Sequence, residues 1–111
     1  MPELPEVEAV RRGLAKELVG RRIVDVRVPN PKILRLPAET AELFAEILLK
    51  RLIKSVGRRG KYLILSFENG YSLAAHLKMR GQMRVDFPAL FVSDRFLCAA
   101  MALDDGREWR Y

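Results

Sequence analysis

The sequence predicts an α+β fold, an antiparallel β-sandwich flanked by an N-terminal helix and a second, inserted helix. Three observations carry that expectation. An apolar stripe at helical spacing opens the chain, with Val7, Val10, Leu14 and Leu18 on one face. Residues 23–28 alternate with period two, as a half-buried strand does. Two tight-turn pairs, Asn69-Gly70 and Asp105-Gly106, sit between segments that read as strands.

Each element follows in chain order. The first helix is expected over residues 5–18. Pro5 suits a first helical turn, Glu6 and Glu8 suit the positive end of the helix dipole, and Gly20 is a stop. Residues 23–28 alternate as a strand until Pro29-Asn30-Pro31 breaks it, and a short strand is open over 32–36. A second helix is expected over 38–50, started by Pro37, with Leu43, Phe44, Ile47 and Leu48 as its buried face. A strand over 53–58 bends near Gly57 or Gly60. The strongest local signal is a hairpin, 61–68 against 71–78, closed by a two-residue type I′ turn at Asn69-Gly70. Residues 82–87 read as a strand stopped by Pro88, residues 91–93 as loop, and 96–103 with 107–111 as a last strand pair. Besides the helix stripe, the core is expected to use Leu43, Phe44, Ile47, Leu63, Leu65, Leu73 and Leu97. No internal repeat and no linker is apparent, so the 111 residues read as one domain with one core. Tyr111 ends the sequence inside an expected strand, which reads as a cut within a longer chain.

Composition bounds the function. Half of the residues are hydrophobic and 31% are charged, a globular rather than disordered balance. No apolar run reaches the roughly 18 residues that span a bilayer, and the acidic, proline-rich start is unlike a secretory signal. The expectation is a cytoplasmic protein with no membrane partner. Cys98 is the one cysteine, so the chain can form no internal disulfide or cysteine-rich zinc site; within an apolar run it reads as a buried structural thiol. The net charge is +6, and residues 50–84 hold nine Lys or Arg against one acid, Glu68. Such a patch suits a polyanion such as nucleic acid, or simply a solvated surface.

Pro2 carries the sharpest chemistry. Once Met1 is removed, Pro2 is a secondary amine at the chain terminus, with an ordinary pKa near ~8, so a usable fraction is neutral and nucleophilic. It can attack C1′ of a deoxyribose, displace the base and leave an iminium ion. Glu3 adjoins it and can move a proton to the opening sugar or the departing base. Glu6 lies one helical turn on. While Met1 is retained, Pro2 is a tertiary amide without a basic lone pair, and a chain in that state is expected to be inactive.

The string Met1-Pro2-Glu3-Leu4-Pro5-Glu6-Val7-Glu8, followed by Arg11-Arg12-Gly13-Leu14, resembles the start of formamidopyrimidine-DNA glycosylases. The resemblance continues through Leu18-Val19-Gly20, Arg58-Arg59-Gly60-Lys61-Tyr62-Leu63 and His76-Leu77-Lys78-Met79-Arg80-Gly81, and so covers essentially the whole chain. It implies base-excision repair: removal of oxidised purines (formamidopyrimidines, 8-oxoguanine) with strand cleavage through a Schiff base on Pro2. Glu3 would be the acid/base, Lys61 and His76 would contact phosphates, and Met79 would fill the space of a flipped base. The implied partner is damaged double-stranded DNA, and the full-length enzyme is expected to be monomeric. The family also carries an Arg/Phe loop soon after Tyr111, a helix–two-turn–helix element and a C-terminal four-cysteine zinc finger. No cofactor is therefore expected within these residues, and zinc is expected in that finger. Lys78 and Arg80 depart from the smaller residues many members have there.

The hairpin adds to this independently. A two-residue turn sets Lys61 opposite Lys78 and Leu63 opposite His76, so that Lys61, His76 and Lys78 share a face able to hold a phosphate. Two alternatives remain open at this level. One is a non-catalytic DNA-binding domain of the same fold; the other is an endonuclease VIII-like glycosylase for oxidised pyrimidines, although that group tends to have Gly where this chain has Leu4.

Overall fold

A computed structural model of the chain describes residues 4–30, 40–76, 83–91 and 97–111. It contains two helices and two antiparallel sheets that share one core, as the α+β expectation required. Helix α1 is Leu4–Leu18 and helix α2 is Ala41–Leu48. Strands β1 (Ile23–Arg27), β6 (Ala100–Leu103), β7 (Glu108–Arg110) and β5 (Arg84–Asp86) form one sheet in that spatial order. Strands β2 (Ile53–Arg59), β3 (Tyr62–Phe67) and β4 (Ser72–His76) form the other. A short 3-10 turn, Pro88–Leu90, follows β5.

The helix stripe behaves as its spacing dictates. Val7, Leu14 and Leu18 are buried and Val10 packs against the same cluster. From the sheets come Ile23, Met101, Leu103 and Trp109 on one side and Ile53, Val56, Leu63, Leu65 and Phe67 on the other. Trp109, fully buried, was not among the expected core residues, and neither were Ile23 and Ile53. Leu43 was expected inside and is exposed instead, while Phe44 and Leu48 carry the buried face of α2. The helix starts later than Pro37 suggested, because Thr40 caps it: its hydroxyl accepts from the Leu43 N–H at 3.2 Å. The strand left open over 32–36 lies outside the described residues.

The two helices end in the same way, and their ends interlock. After α1, Gly20 takes a positive φ of 85°; after α2, Lys50 does so at 67°. The Gly20 N–H then donates to the Ile53 carbonyl (2.9 Å), and the Lys50 N–H donates to the Ile23 carbonyl (2.7 Å). Reciprocally, Ile23 N–H donates to Arg51 and Ile53 N–H to Arg21, around a bridge between Arg22 and Leu52. The relation extends outward: Asp104 N–H reaches the Arg22 carbonyl, and Glu68 N–H reaches that of Leu52. Residues 20–23 and 50–53 are thus related by an approximate two-fold axis, which the absence of a visible sequence repeat did not anticipate.

Both turn pairs close hairpins, the first with one more residue in its loop than expected. In the β3–β4 ladder Leu65 pairs with Leu73, Ser66 with Ser72 and Tyr62 with His76. The loop is therefore Glu68-Asn69-Gly70, in which Gly70 alone has positive φ (86°) and its N–H donates to Phe67 O. A type I′ turn needs positive φ at both central residues; a three-residue loop needs it only at the last, where glycine sits. Asp104-Asp105-Gly106 repeats the arrangement, with Gly106 at φ 88°. The extra residue shifts the register by one and exchanges the faces of β4 relative to β3.

The left-handed positions give opposite expectations for two substitutions. Gly20→Ala places a side chain at a φ that disfavours it and should lower stability by about 1 kcal/mol. Lys50→Gly removes a strained position and should raise it by about 0.5–1 kcal/mol. Urea unfolding midpoints, with unchanged slopes, measure both.

Candidate active site

The start of α1 is held by a carboxylate, Glu8, that does more than complement the helix dipole. Glu8 lies one turn into the helix and accepts four hydrogen bonds from three arginines. Arg11 grips it bidentately, Nε to Oε1 at 3.0 Å and Nη2 to Oε2 at 2.9 Å. Arg12 Nε reaches Oε2 at 3.0 Å, and Arg58 Nε, from β2, reaches Oε1 at 3.1 Å. Arg11 and Arg12 are there because residues three and four apart meet on a helix surface. The Arg11 hydrogen bonds, opposed by partial burial and reinforced by Arg58 and Arg12, hold the Glu8 carboxyl well below its ordinary 4.5, at about 2.

The same arginines reach beyond Glu8. Arg11 Nη1 donates to the Val56 carbonyl (3.2 Å) and Arg58 Nη1 to the Gly60 carbonyl (3.0 Å). Gly60 and Lys61 form the two-residue turn between β2 and β3, with positive φ at Gly60 alone, as a type II′ turn requires. The first turns of α1 are thereby tied to the turn that carries Lys61. The far end of α1 has its own fastening. Arg107 bonds both the Glu17 carboxylate and the Glu17 carbonyl, and also Asp105.

Of the candidate residues, Glu6 is exposed on the first turn of α1. Lys61 is half-buried in its turn, and His76 is half-buried at the end of β4. The His76 ring meets Tyr62 edge-on, with centroids 4.7 Å apart. The Tyr111 hydroxyl donates to the His76 carbonyl at 3.2 Å, joining the last residue of the chain to the end of β4. Burial pushes the Tyr111 phenol up, so it remains a donor. Pro2, Glu3, Lys78 and Met79 lie outside the described residues. The face expected to unite Lys61, His76 and Lys78 is corrected by the register. His76 stands opposite Tyr62, not Leu63, and so shares the face of Tyr62, whereas Lys61 lies beyond the ladder in the turn. Glu8, Arg11 and Arg58 are what the sequence reading missed. The acid-to-arginine spacing of Glu8 with Arg11 and Arg12 was a readable signal, but Arg58 had been counted only as part of a basic patch.

An open groove of about 490 Å³ runs between α1 and β5, lined by Val10, Gly13, Leu14, Met83, Val85 and Arg107 among others. It holds none of the candidate residues. Among the described residues, no three His, Cys, Asp or Glu side chains are grouped to hold a metal ion, and no helix is long and apolar enough to cross a membrane.

The profile of the formamidopyrimidine-DNA glycosylase N-terminal domain matches residues 1–111. The chain belongs to that family. Its similarity to curated formamidopyrimidine-DNA glycosylases is correspondingly high. It is 49% identical to that of Herpetosiphon aurantiacus over 115 residues, covering 100% of this chain and 40% of the relative. To that of Salinispora tropica it is 42% identical, covering 100% of this chain and 39% of the relative. The fold agrees with solved family members. A complex of the LlFpg protein with a THF-DNA and an inhibitor superposes with a TM-score of 0.88 at 31% identity, over 99% of this chain and 39% of that one. A complex of Lactococcus lactis Fpg with DNA containing an abasic site gives 0.87 at 31% identity, over 98% and 39%. The chain thus spans about two fifths of the length of the glycosylases it matches.

The depressed Glu8 carboxyl makes stability depend on acid. Its contribution is fully present above the unfolded value of about 4.5 and is lost as pH falls through about 2. The expected result is that the stability gap between the unsubstituted protein and Glu8→Gln narrows from pH 5 toward about pH 2. Urea titrations across that range measure it.

Proposed function

We propose that this chain is the nucleophile-bearing part of a base-excision repair glycosylase that removes oxidised purines from double-stranded DNA and then cleaves the strand. The observation that carries the reading is the family match along all 111 residues, together with close structural likeness to glycosylases bound to DNA containing an abasic site or its THF counterpart. The basic stretch from Lys50 to Arg84 supports a polyanionic partner.

In this reading Met1 is removed and the Pro2 nitrogen is the nucleophile. Its lone pair forms a bond to C1′ while the glycosidic C–N bond breaks, and the departing electron pair leaves with the base. Glu3 supplies the proton that the departing base or the opening sugar oxygen needs, and Glu6 supports that transfer from the first turn of α1. The Pro2 nitrogen then gives up its proton, the C1′–O4′ bond breaks as O4′ takes a proton from Glu3, and the product is a ring-opened iminium between Pro2 and C1′. Its positive charge acidifies the C2′ proton; loss of that proton expels the 3′ phosphate, and hydrolysis of the iminium returns the amine. Lys61, His76 and Lys78 contribute phosphate contacts, and Met79 occupies the space left by the flipped base. The zinc finger and helix–two-turn–helix that the family resemblance implies belong, on this proposal, to sequence outside these residues. Zinc takes no part in the steps above.

Borohydride reduces an iminium to a stable amine, so trapping is the direct test. The processed, full-length protein should form a covalent adduct through Pro2 on a duplex with one 8-oxoguanine. Pro2→Gly should impair adduct formation, and Glu3→Gln should largely stop base excision. A duplex carrying an oxidised pyrimidine should compete poorly. Mass spectrometry that placed the DNA on a lysine side chain such as Lys61, or no adduct at all, would refute the mechanism. Separately, Lys61→Ala should weaken DNA binding and reduce the log–log salt slope by about one unit. An unchanged slope would remove Lys61 from the phosphate contacts.

A further inference from the structure

Glu8 is the most heavily bonded carboxylate in the described structure, yet the proposed chemistry gives it no part. A surface ion pair alone contributes little, and both Glu8 and Arg58 retain about a quarter to a third of their side-chain exposure (27% and 30%). What sets this pair apart is direction. Arg58 is held between two fixed acceptors, the Glu8 carboxylate at 3.1 Å and the Gly60 carbonyl at 3.0 Å, and its two donors lie in one rigid plane. One acceptor belongs to the helix whose first residue, Leu4, directly follows Pro2 and Glu3. The other belongs to the residue before Lys61.

We propose that Glu8 and Arg58 are positioning residues for base excision, fixing the spacing between the start of α1 and the turn that presents Lys61. The inference rests on the proposed function above. On the proposed function a sugar attacked by Pro2 and a phosphate gripped by Lys61 sit in one bound duplex, so both ends of the clamp must be held at a set distance while the reaction proceeds. Arg11 stiffens the arrangement by joining Glu8 to the backbone of β2 at Val56. The remainder of α1 does not depend on the clamp. Val7, Leu14 and Leu18 are buried, the helix end is tied through Gly20 to Ile53, and Arg107 holds Glu17. Loss of Glu8 should therefore leave a folded protein whose helix start is poorly aimed.

The test uses the processed, full-length protein and a duplex with one oxidised purine. Glu8→Gln should slow single-turnover excision by about tenfold or more, since misplacement on the order of 1 Å is costly to a reaction that depends on alignment. Its affinity for undamaged duplex should hold or rise, because an acid has been removed from a surface facing a polyanion. Arg58→Lys, which keeps the charge but loses the planar fork, should be intermediate between the unsubstituted protein and Arg58→Met. The double variant Glu8→Gln with Arg58→Met should be no slower than the slower single variant, as for two groups acting through one contact. Full excision rate in Glu8→Gln, additive losses in the double variant, or a parallel fall of rate and affinity would each overturn the inference. An unsubstituted protein that forms no borohydride adduct overturns the proposed function, and this inference with it. A substituted protein that excises at full rate overturns the inference alone.

Discussion

The structure depends on a short exchange of main-chain hydrogen bonds between residues 20–23 and 50–53. Each helix is followed, two residues on, by a left-handed residue, and each left-handed residue turns its N–H toward the strand that follows the other helix. That exchange sets Ile23 and Ile53, both fully buried, side by side at the root of the two sheets. From it β1 runs into one sheet and β2 into the other. Leu18 and Leu48, the last residues of the two helices, are buried beside it. Unpaired buried backbone groups would cost about 1–3 kcal/mol each, so the exchange also satisfies the amide and carbonyl groups that a helix-to-strand corner otherwise leaves open.

The site is built outward from that joint along α1. One end of the helix is set by Gly20 and Arg107, and the other by Glu8, Arg11 and Arg58. Fifteen helical residues between two fastenings make a rigid arm. On the proposed mechanism the reacting amine is that of Pro2, two residues ahead of Leu4 in the sequence. On that proposal the nucleophile is a main-chain nitrogen, so its aim is inherited from the helix it leads into.

Side-chain periodicity made much of this visible in the sequence. Val7, Val10, Leu14 and Leu18 gave α1 and its buried face, and alternation gave the strand at 23–28 to within a residue. The opening eight residues carried the family, because a proline at position 2 followed by closely spaced acids is a chemical rather than a structural pattern. Failures arose where the deciding groups are on the main chain or distant in sequence. Asn69-Gly70 is compatible with a two- or a three-residue loop, and only the ladder across Leu65 and Leu73 decides between them. Leu43 was grouped with Leu48 as apolar, yet five residues place them about 140° apart round the helix, so the face that buries Leu48 leaves Leu43 exposed. Glu8 advertised its local arginines; its partner from β2 is fifty residues away.

The interlocked corners also bear on how this chain and its relatives diverge. Because the two-fold relation is written in amide and carbonyl groups, it places few demands on residue identity. Glycine stands at one corner where lysine stands at the other, and arginine faces leucine across the bridge. Selection acting on side chains can therefore erase every trace of kinship between the two halves while their geometry persists. A duplicated ancestral segment with this architecture would lose its sequence signature long before its symmetry, and a search for such an origin belongs in hydrogen-bond patterns rather than in residue matches.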